Sequence, residues 1–382
     1  MKKSILFVPF LALFMVNQAG ICQDSLIREI TTSQGLTGIH LENALISVVV
    51  YPQATGIATD FFEKSTACRF TEPLGFVVEK VELLPTICTH NDTGARGALW
   101  GRTISTQEML LSEQSAVNGK VSVVVHNRFY QGLTVEYNRR YSLRDGQAIL
   151  AVEMTCTNTG QRPMEIGLWE NFLGRINSDC QDDTLIIPVK GGISAVGKIR
   201  VRNFTRDGRY FKSRANDRNE LFAAPSQLWI ARYKPGRPLL VLRGSSGLGK
   251  QGFLYNWCGQ NNGFSSELVH EMVKLEPSEQ TSMRVDYLFF SKLDRLSTLC
   301  GDVAIDHKIS DNEIIIRIAT AKPLDVGTME LPGIGKAPIG WLEPGEVKKI
   351  VFPRPPQITP EQTVSGQLSA IGSFELLPEI TR

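Results

Sequence analysis

From Ala148 to Asn158 the chain alternates strictly. Leu150, Val152, Met154 and Cys156 stand on one side; Ala151, Glu153, Thr155 and Thr157 stand on the other. A period of two is that of a strand with one face buried and one face wet. Asp145-Gly146 precedes the run and Asn158-Thr159-Gly160 follows it. Both are residue types that tolerate the positive backbone angles of tight turns. Pro163 restarts an extended segment in which Met164, Ile166 and Leu168 alternate with Glu165, Gly167 and Trp169. That segment ends in a polar and aromatic group: Trp169, Glu170, Asn171 and Phe172. Tyr141–Gly174 therefore reads as consecutive antiparallel strands of one large sheet.

The same pattern extends along the chain. Runs rich in Val, Ile, Thr and aromatic residues, bounded by Gly, Asn, Asp or Pro, predict strands at Leu45–Tyr51, Ile57–Phe61, Phe76–Leu83, Arg102–Leu111, Lys120–Phe129 and Leu133–Leu143. Further strands are expected at Thr184–Val189, Gln227–Tyr233, Leu239–Arg243, Gly252–Trp257, Ser266–Leu275 and Thr281–Phe290. No long apolar stripe of period 3.6 interrupts them; only Ser291–Cys300 reads as a short helix. Many strands without helices imply an all-β sandwich or barrel. With 382 residues, the expectation is two large antiparallel sheets packed face to face. Gln23–Gly38 reads as polar and irregular. From Gly301 the pattern changes, with strands at Glu313–Ala319 and Val347–Phe352 around a Pro/Gly-rich passage. The expected division is residues 1–22 as a leader, 23–300 as the large β domain, 301–356 as a small β appendage and 357–382 as a polar tail.

The first residues fit a secretory signal peptide. Lys2 and Lys3 precede an apolar run, Ile5–Val16, too short to span a bilayer, and cleavage is placed after Cys22. An exported protein, periplasmic or secreted and without a membrane span, is expected. Anchoring through an acylated Cys22 is the competing outcome. Six cysteines remain, an even number that permits disulfides without selecting a pairing. Cys68 and Cys88 are the nearest pair able to close a loop, and Cys156 falls on an apolar strand face. No C-x-x-C supports a metal or thioredoxin-like site. The net charge of +2 gives no general drive toward polyanions, so nucleic acid is not an expected partner.

Three segments together resemble the galactose mutarotase-like (aldose epimerase) superfamily. They are the order turn, long strand, T-N-T-G-x-x-P, strand and aromatic-polar cluster in Tyr141–Gly174; the hairpin-like LENALISVVVYPQATGIATDFF, Leu41–Phe62; and the loop ARGALWGR, Ala95–Arg102. The resemblance implies a supersandwich with a sugar cleft, in which a carboxylate takes the anomeric proton and a histidine serves the ring oxygen. In that pattern the late-strand base falls on Glu267, in Ser265-Ser266-Glu267-Leu268-Val269. The histidine after T-N-T-G falls on Glu170 or Asn171, and the early-loop Asp and His fall on Ala95 and Arg96. Both matched histidines are thus absent. An arginine holds hydroxyls and carboxylates but does not give up its proton near neutral pH. His90, six residues before Arg96, is the candidate acid in the same loop.

Trp100 and Trp169, from the matched segments, are candidates to stack on sugar faces. Lys198–Arg218 carries eight basic residues with Phe204, Tyr210 and Phe211 interleaved. Lys198, Arg200 and Arg202 share one face if the segment is a strand, a pattern suited to an anionic glycan or to a solvated edge. Gly244–Lys250 fits most of a phosphate loop. Gln251 follows where Ser or Thr belongs, and GFLYNW reads as strand rather than helix, so a hairpin loop is expected there. No cofactor is called for. The expected function is an exported carbohydrate-binding protein, either a divergent epimerase with a Glu base or a non-catalytic glycan-binding or scaffold protein of the cell envelope.

Overall fold

A computed structural model describes residues 25–32, 35–71, 94–100, 109–128, 134–174, 184–189, 192–197, 219–223, 227–234, 236–244, 253–258, 264–293 and 295–378. Every regular element among them is a strand. In the first unit these are β1 (Leu26–Thr31), β2 (Thr37–Glu42), β3 (Ile46–Tyr51), β4 (Ile57–Glu63), β5 (Cys68–Arg69), β6 (Gly94–Trp100), β7 (Leu110–Val117), β8 (Lys120–Arg128), β9 (Val135–Arg144) and β10 (Ile149–Asn158). They continue with β11 (Met164–Gly174), β12 (Thr184–Val189), β13 (Gly192–Gly197), β14 (Asn219–Ala223), β15 (Trp229–Tyr233), β16 (Leu239–Gly244), β17 (Phe253–Cys258), β18 (Phe264–Val269), β19 (Val273–Leu275) and β20 (Gln280–Phe290).

Two antiparallel sheets result. One has eleven strands in the order β1-β2-β3-β4-β6-β11-β18-β17-β14, with β5 on β4 and β19 on β11. The other has nine, in the order β13-β12-β15-β16-β20-β10-β9-β8-β7. Their facing sides form the core, in which Leu150, Val152, Met154 and Cys156 of β10 are buried with Ile166, Leu168 and Phe172 of β11. Phe61, Phe172 and Tyr287 meet across the sandwich with ring centroids 5.3–5.4 Å apart. Tilted and edge-on aromatic contacts of this kind add about 0.5–1.5 kcal/mol each beyond buried area.

The turns behave as their residues dictate. Gly146 has φ +67°, open to glycine without strain. The side chain of Asn158 receives Gly160 N at 2.9 Å and donates to Arg162 O and Leu275 O, so T-N-T-G is a structural joint. Cys68, Cys156 and Cys300 are buried and none is in a disulfide, and burial pushes the Cys156 thiol up to about 12. Cys88 lies outside the described residues.

Three local expectations are corrected. The polar stretch before Gly38 contains β1, an edge strand with mostly exposed side chains whose backbone pairs with β2; ladder hydrogen bonds need no apolar period. β16 ends at Gly244 in the nine-stranded sheet and β17 begins at Phe253 in the eleven-stranded sheet, so these two strands do not form the hairpin expected around Gly244–Lys250; residues 245–250 lie outside the described residues. Ser291–Cys300 is not helical where described; Leu293 and Leu296 are buried between the two units, and Thr298–Cys300 is a strand. The proposed strand Phe76–Leu83 and most of Arg102–Leu111 lie outside the described residues.

The second unit comprises β21 (Thr298–Cys300), β22 (Val303–Ile309), β23 (Glu313–Thr320), β24 (Leu324–Asp325), β25 (Thr328–Leu331), β26 (Gly335–Pro338), β27 (Trp341–Leu342), β28 (Val347–Pro353), β29 (Val364–Leu368) and β30 (Gly372–Leu376). The stretch expected as a polar tail supplies β29 and β30. Their alternate residues Val364, Leu368, Phe374 and Leu376 are buried with Ile314, Ile316 and Ile318. Five-residue strands carry too few apolar side chains to lift the composition of a polar segment.

His307 on β22 receives or donates one hydrogen bond at Ser297 Oγ, 2.8 Å from its Nδ1. Burial holds its pKa below 6.5, with Asp306 opposing and Arg295 assisting. A neutral imidazole in the folded state and a protonatable one in the unfolded state means stability is full above the unfolded pKa and is lost as pH falls below it. His40 shifts in the same direction. Stability is therefore expected to fall from about pH 7 to about pH 5, less steeply in His307→Gln. Thermal unfolding across that range would show it; identical slopes for parent and variant would refute it.

Candidate functional site

The parity of β11 decides which of its polar residues belong together. Ile166, Leu168, Glu170 and Phe172 point into the sandwich, and Trp169 and Asn171 belong to the outer face of the eleven-stranded sheet. On β18 the parity is set by Leu268, which is in the core, so Ser265 and Glu267 share the outer face. Ser266 instead reaches inward and accepts from Arg232 Nε of β15 at 3.1 Å.

The register assembles these residues into rows. Asn171 lies opposite Arg96 of β6 on one side and Glu267 of β18 on the other. Glu267 lies in turn opposite Tyr255 of β17. One row beyond, Trp169 lies between Ala98 and Val269; on the other side Leu173 lies between Gly94 and Ser265. Three candidates far apart in sequence, Arg96, Asn171 and Glu267, thus form one continuous row across adjacent strands.

Polar atoms in this patch are unusually poorly served. Trp169 Nε1, Asn171 Oδ1 and Ser265 Oγ are buried with no hydrogen-bond partner among the described residues. Asn171 is 8% exposed and Ser265 and Glu267 are 2% exposed. Leaving a buried polar atom unsatisfied costs about 1–3 kcal/mol. Several such atoms on neighbouring strands leave hydrogen-bonding capacity that an ordered water or a ligand can take up. The set is chemically mixed: an indole N–H that only donates, an amide oxygen that only accepts and a hydroxyl that does both. Among the described residues no group of three or more His, Cys, Asp or Glu is placed to hold a metal ion.

Glu170, expected at the ligand, sits instead in the middle of the sandwich at 0% exposure. Arg139 of β9 grips it bidentately, Nη1 to Oε2 at 2.5 Å and Nη2 to Oε1 at 2.7 Å. Tyr287 donates to Glu170 Oε1 at 2.5 Å. Arg139 Nε donates to the Tyr141 hydroxyl, which donates onward to Gly56 O at 2.6 Å. Burial alone would lower the Arg139 pKa, but the Glu170 carboxylate outweighs it and the net shift is upward. Burial pushes the Tyr141 phenol up to about 12, and burial with the adjacent carboxylate raises Tyr287 well above its usual value. The network is a charged cross-link between the sheets.

Gly56 has φ +66°, and a Cβ there would meet Met109 Sδ and Val125 Cγ2 at 2.7 Å. The Pro52–Gly56 turn of the hairpin-like segment thereby brings a backbone carbonyl to the cross-link.

His90, Arg200 and Arg202 lie outside the described residues; Arg96 and Trp100 are placed by the backbone register of β6. Ser265 was not singled out from the sequence as a site residue. Its only legible signal is its spacing of two from Glu267, which puts both on one strand face.

No protein-family model and no curated protein sequence matches the chain. Solved structures do. A galactose mutarotase-like protein from Clostridium acetobutylicum superposes over 70% of this chain and 99% of its own, with 11% identity and a TM-score of 0.54. A galactose mutarotase related enzyme from Lactobacillus acidophilus covers 72% of this chain and 100% of its own, with 11% identity and a TM-score of 0.44. The all-β supersandwich of this chain is therefore the galactose mutarotase-like fold.

Proposed function

We propose that the protein binds a carbohydrate on the outer face of the eleven-stranded sheet, over Arg96, Asn171 and Glu267. The observation that carries this is the group of unsatisfied buried polar atoms, Trp169 Nε1, Asn171 Oδ1 and Ser265 Oγ, beside that row. Each sugar hydroxyl donates and accepts at once, so a mixed set of donors and acceptors suits it better than a set of one kind. The shared fold supports a sugar ligand without naming it. A glycan panel titrated against the full chain tests the reading. Asn171→Ala and Ser265→Ala are expected to weaken binding about tenfold each while changing stability by less than about 1 kcal/mol, because neither atom loses an internal hydrogen bond. Unchanged affinity in both variants would remove this face from consideration.

Ring opening needs an acid as well as a base. Glu267 can serve as base, but arginine at position 96 cannot donate its proton. Loss of a positioned general acid removes about 10²–10⁴-fold in rate. Little or no mutarotation of free glucose or galactose is expected by polarimetry. Rapid mutarotation abolished by Glu267→Gln would show that another group supplies the proton.

The reading extends to location and ligand charge. Met1–Cys22 supports export, and eight basic residues in Lys198–Arg218 support an anionic glycan. Arg200→Ala with Arg202→Ala should then weaken uronate-containing or sulfated glycans more than neutral ones; equal weakening of both would separate the basic segment from ligand choice.

A further inference from the structure

The second unit docks against the outer side of the nine-stranded sheet, opposite the candidate carbohydrate face. Ala148 N donates to Ala321 O at 2.7 Å, and Ile149, Trp229 and Leu288 pack with Ala304, Ala319 and Leu377. Beside this junction a cleft of about 200 Å³ is lined largely by charged side chains. Its three carboxylates are all in use. Arg243 Nη2 holds Asp286 at 2.7 Å and Asp302 at 2.8 Å. Arg284 takes Asp286 at 2.9 Å and Glu153 at 3.3 Å, and Lys322 takes Asp302 at 2.5 Å.

Two lining cations are left over. Lys120 and Arg144 form no ion pair among the described residues, although both border the cleft. They are direct register partners on β8 and β9. Like charges opposed across a strand pair repel, at about 0.2–1 kcal/mol. The neighbouring Asp145, whose Oδ1 accepts from Ser25 Oγ and whose Oδ2 lies beside Gly119, offsets part of that repulsion without forming an ion pair with either cation among the described residues. The backbone of this wall is fixed from behind: Asn43 Nδ2 donates to Arg144 O and Gln147 O, both at 2.8 Å. Lys120 and Arg144, together with Lys322, which is already held by Asp302, line one cleft with an excess of positive over negative side chains.

We propose that this junction cleft binds an oxyanion, a sulfate or carboxylate group, between Arg144, Lys120 and Lys322. The guanidinium fork of Arg144 takes two oxygens, and the ammonium groups act as point charges. Two hundred cubic ångströms, about seven water volumes, accommodates one charged group or one acidic sugar residue. The group can arrive free in solution or as part of an acidic saccharide. This site is independent of the carbohydrate face and stands or falls separately from it.

Calorimetric titration of the full chain at constant ionic strength tests the assignment, with sodium sulfate, sodium glucuronate and a sulfated disaccharide as probes. Saturable binding of at least one probe is expected, weakened about tenfold or more by Lys120→Gln with Arg144→Gln. Lys274→Gln, which removes an exposed cation elsewhere, should change nothing. A sulfated disaccharide binding about tenfold tighter than sulfate would identify a saccharide as the source; equal affinities would identify the free anion. Without any anion, the double variant should unfold close to the parent, because neither cation forms an ion pair among the described residues. Absence of saturable heat with every probe, or equal affinity in parent and double variant, would overturn the proposal.

Discussion

Glu170→Ala is expected to destabilise the protein by about 3–5 kcal/mol, since it strands the buried guanidinium of Arg139. Arg139 and Glu170 are each at 0% exposure, so solvent does not reach the guanidinium in the folded state. The variant also takes the acceptor from Tyr287. Urea unfolding measures the loss from the shift in midpoint at unchanged slope. A cost below about 1 kcal/mol would mean that the two sheets are not held by this pair. Arg139→Met combined with Glu170→Met should recover much of the loss, because removing both charges is far less costly than orphaning one. Recovery will be incomplete, as the Tyr141 and Tyr287 hydroxyls keep their burial and lose a partner. The ligand readout separates this role from binding: Glu170 should act through stability, Asn171 through affinity.

Asn43→Ala is expected to cost about 2–4 kcal/mol, the sum of four modest hydrogen bonds rather than one strong one. Its Oδ1 accepts from Leu45 N and Ile46 N at 2.9 Å, which shapes the approach to β3. Its Nδ2 ties Arg144 O and Gln147 O of the β9–β10 turn. One side chain therefore joins a turn of the eleven-stranded sheet to a turn of the nine-stranded sheet. Asn43→Asp keeps the acceptor but loses the two donations and sets a buried carboxylate oxygen against the Arg144 and Gln147 carbonyls, so it should be at least as destabilising as Asn43→Ala. The same donations hold the wall of the junction cleft, and Asn43→Ala is expected to weaken the oxyanion there along with the fold. Equal stability for Asn43→Ala and the parent would show that water replaces the amide at no cost.

What could be learned from the chain alone followed from local chemistry. Period-two alternation identifies β10 and β11, and Asp145-Gly146 and Asn158-Thr159-Gly160 identify the turns beside them, because both signals arise from side chains within a few residues. Absence of helical stripes likewise led to an all-β sandwich. The parity of Met164, Ile166 and Leu168 even separates Glu170 from Asn171: Glu170 is in phase with the apolar side. Arg139 is in phase with Tyr137 and Tyr141 in the same way. Two charges in phase with two apolar stripes are legible as buried groups needing partners.

That they partner each other was decided only by the packing of one sheet on the other, which brings together residues 31 positions apart. The tail shows the same limit: β29 and β30 are too short for composition to reveal, yet four of their side chains close a core. The row Arg96, Asn171, Glu267 likewise exists only through strand register. Alternation assigns a residue to a face of its own strand. Which residues of other strands share that face, and which stand opposite, depends on pairing between segments far apart in the chain, and only the folded sheets supply it.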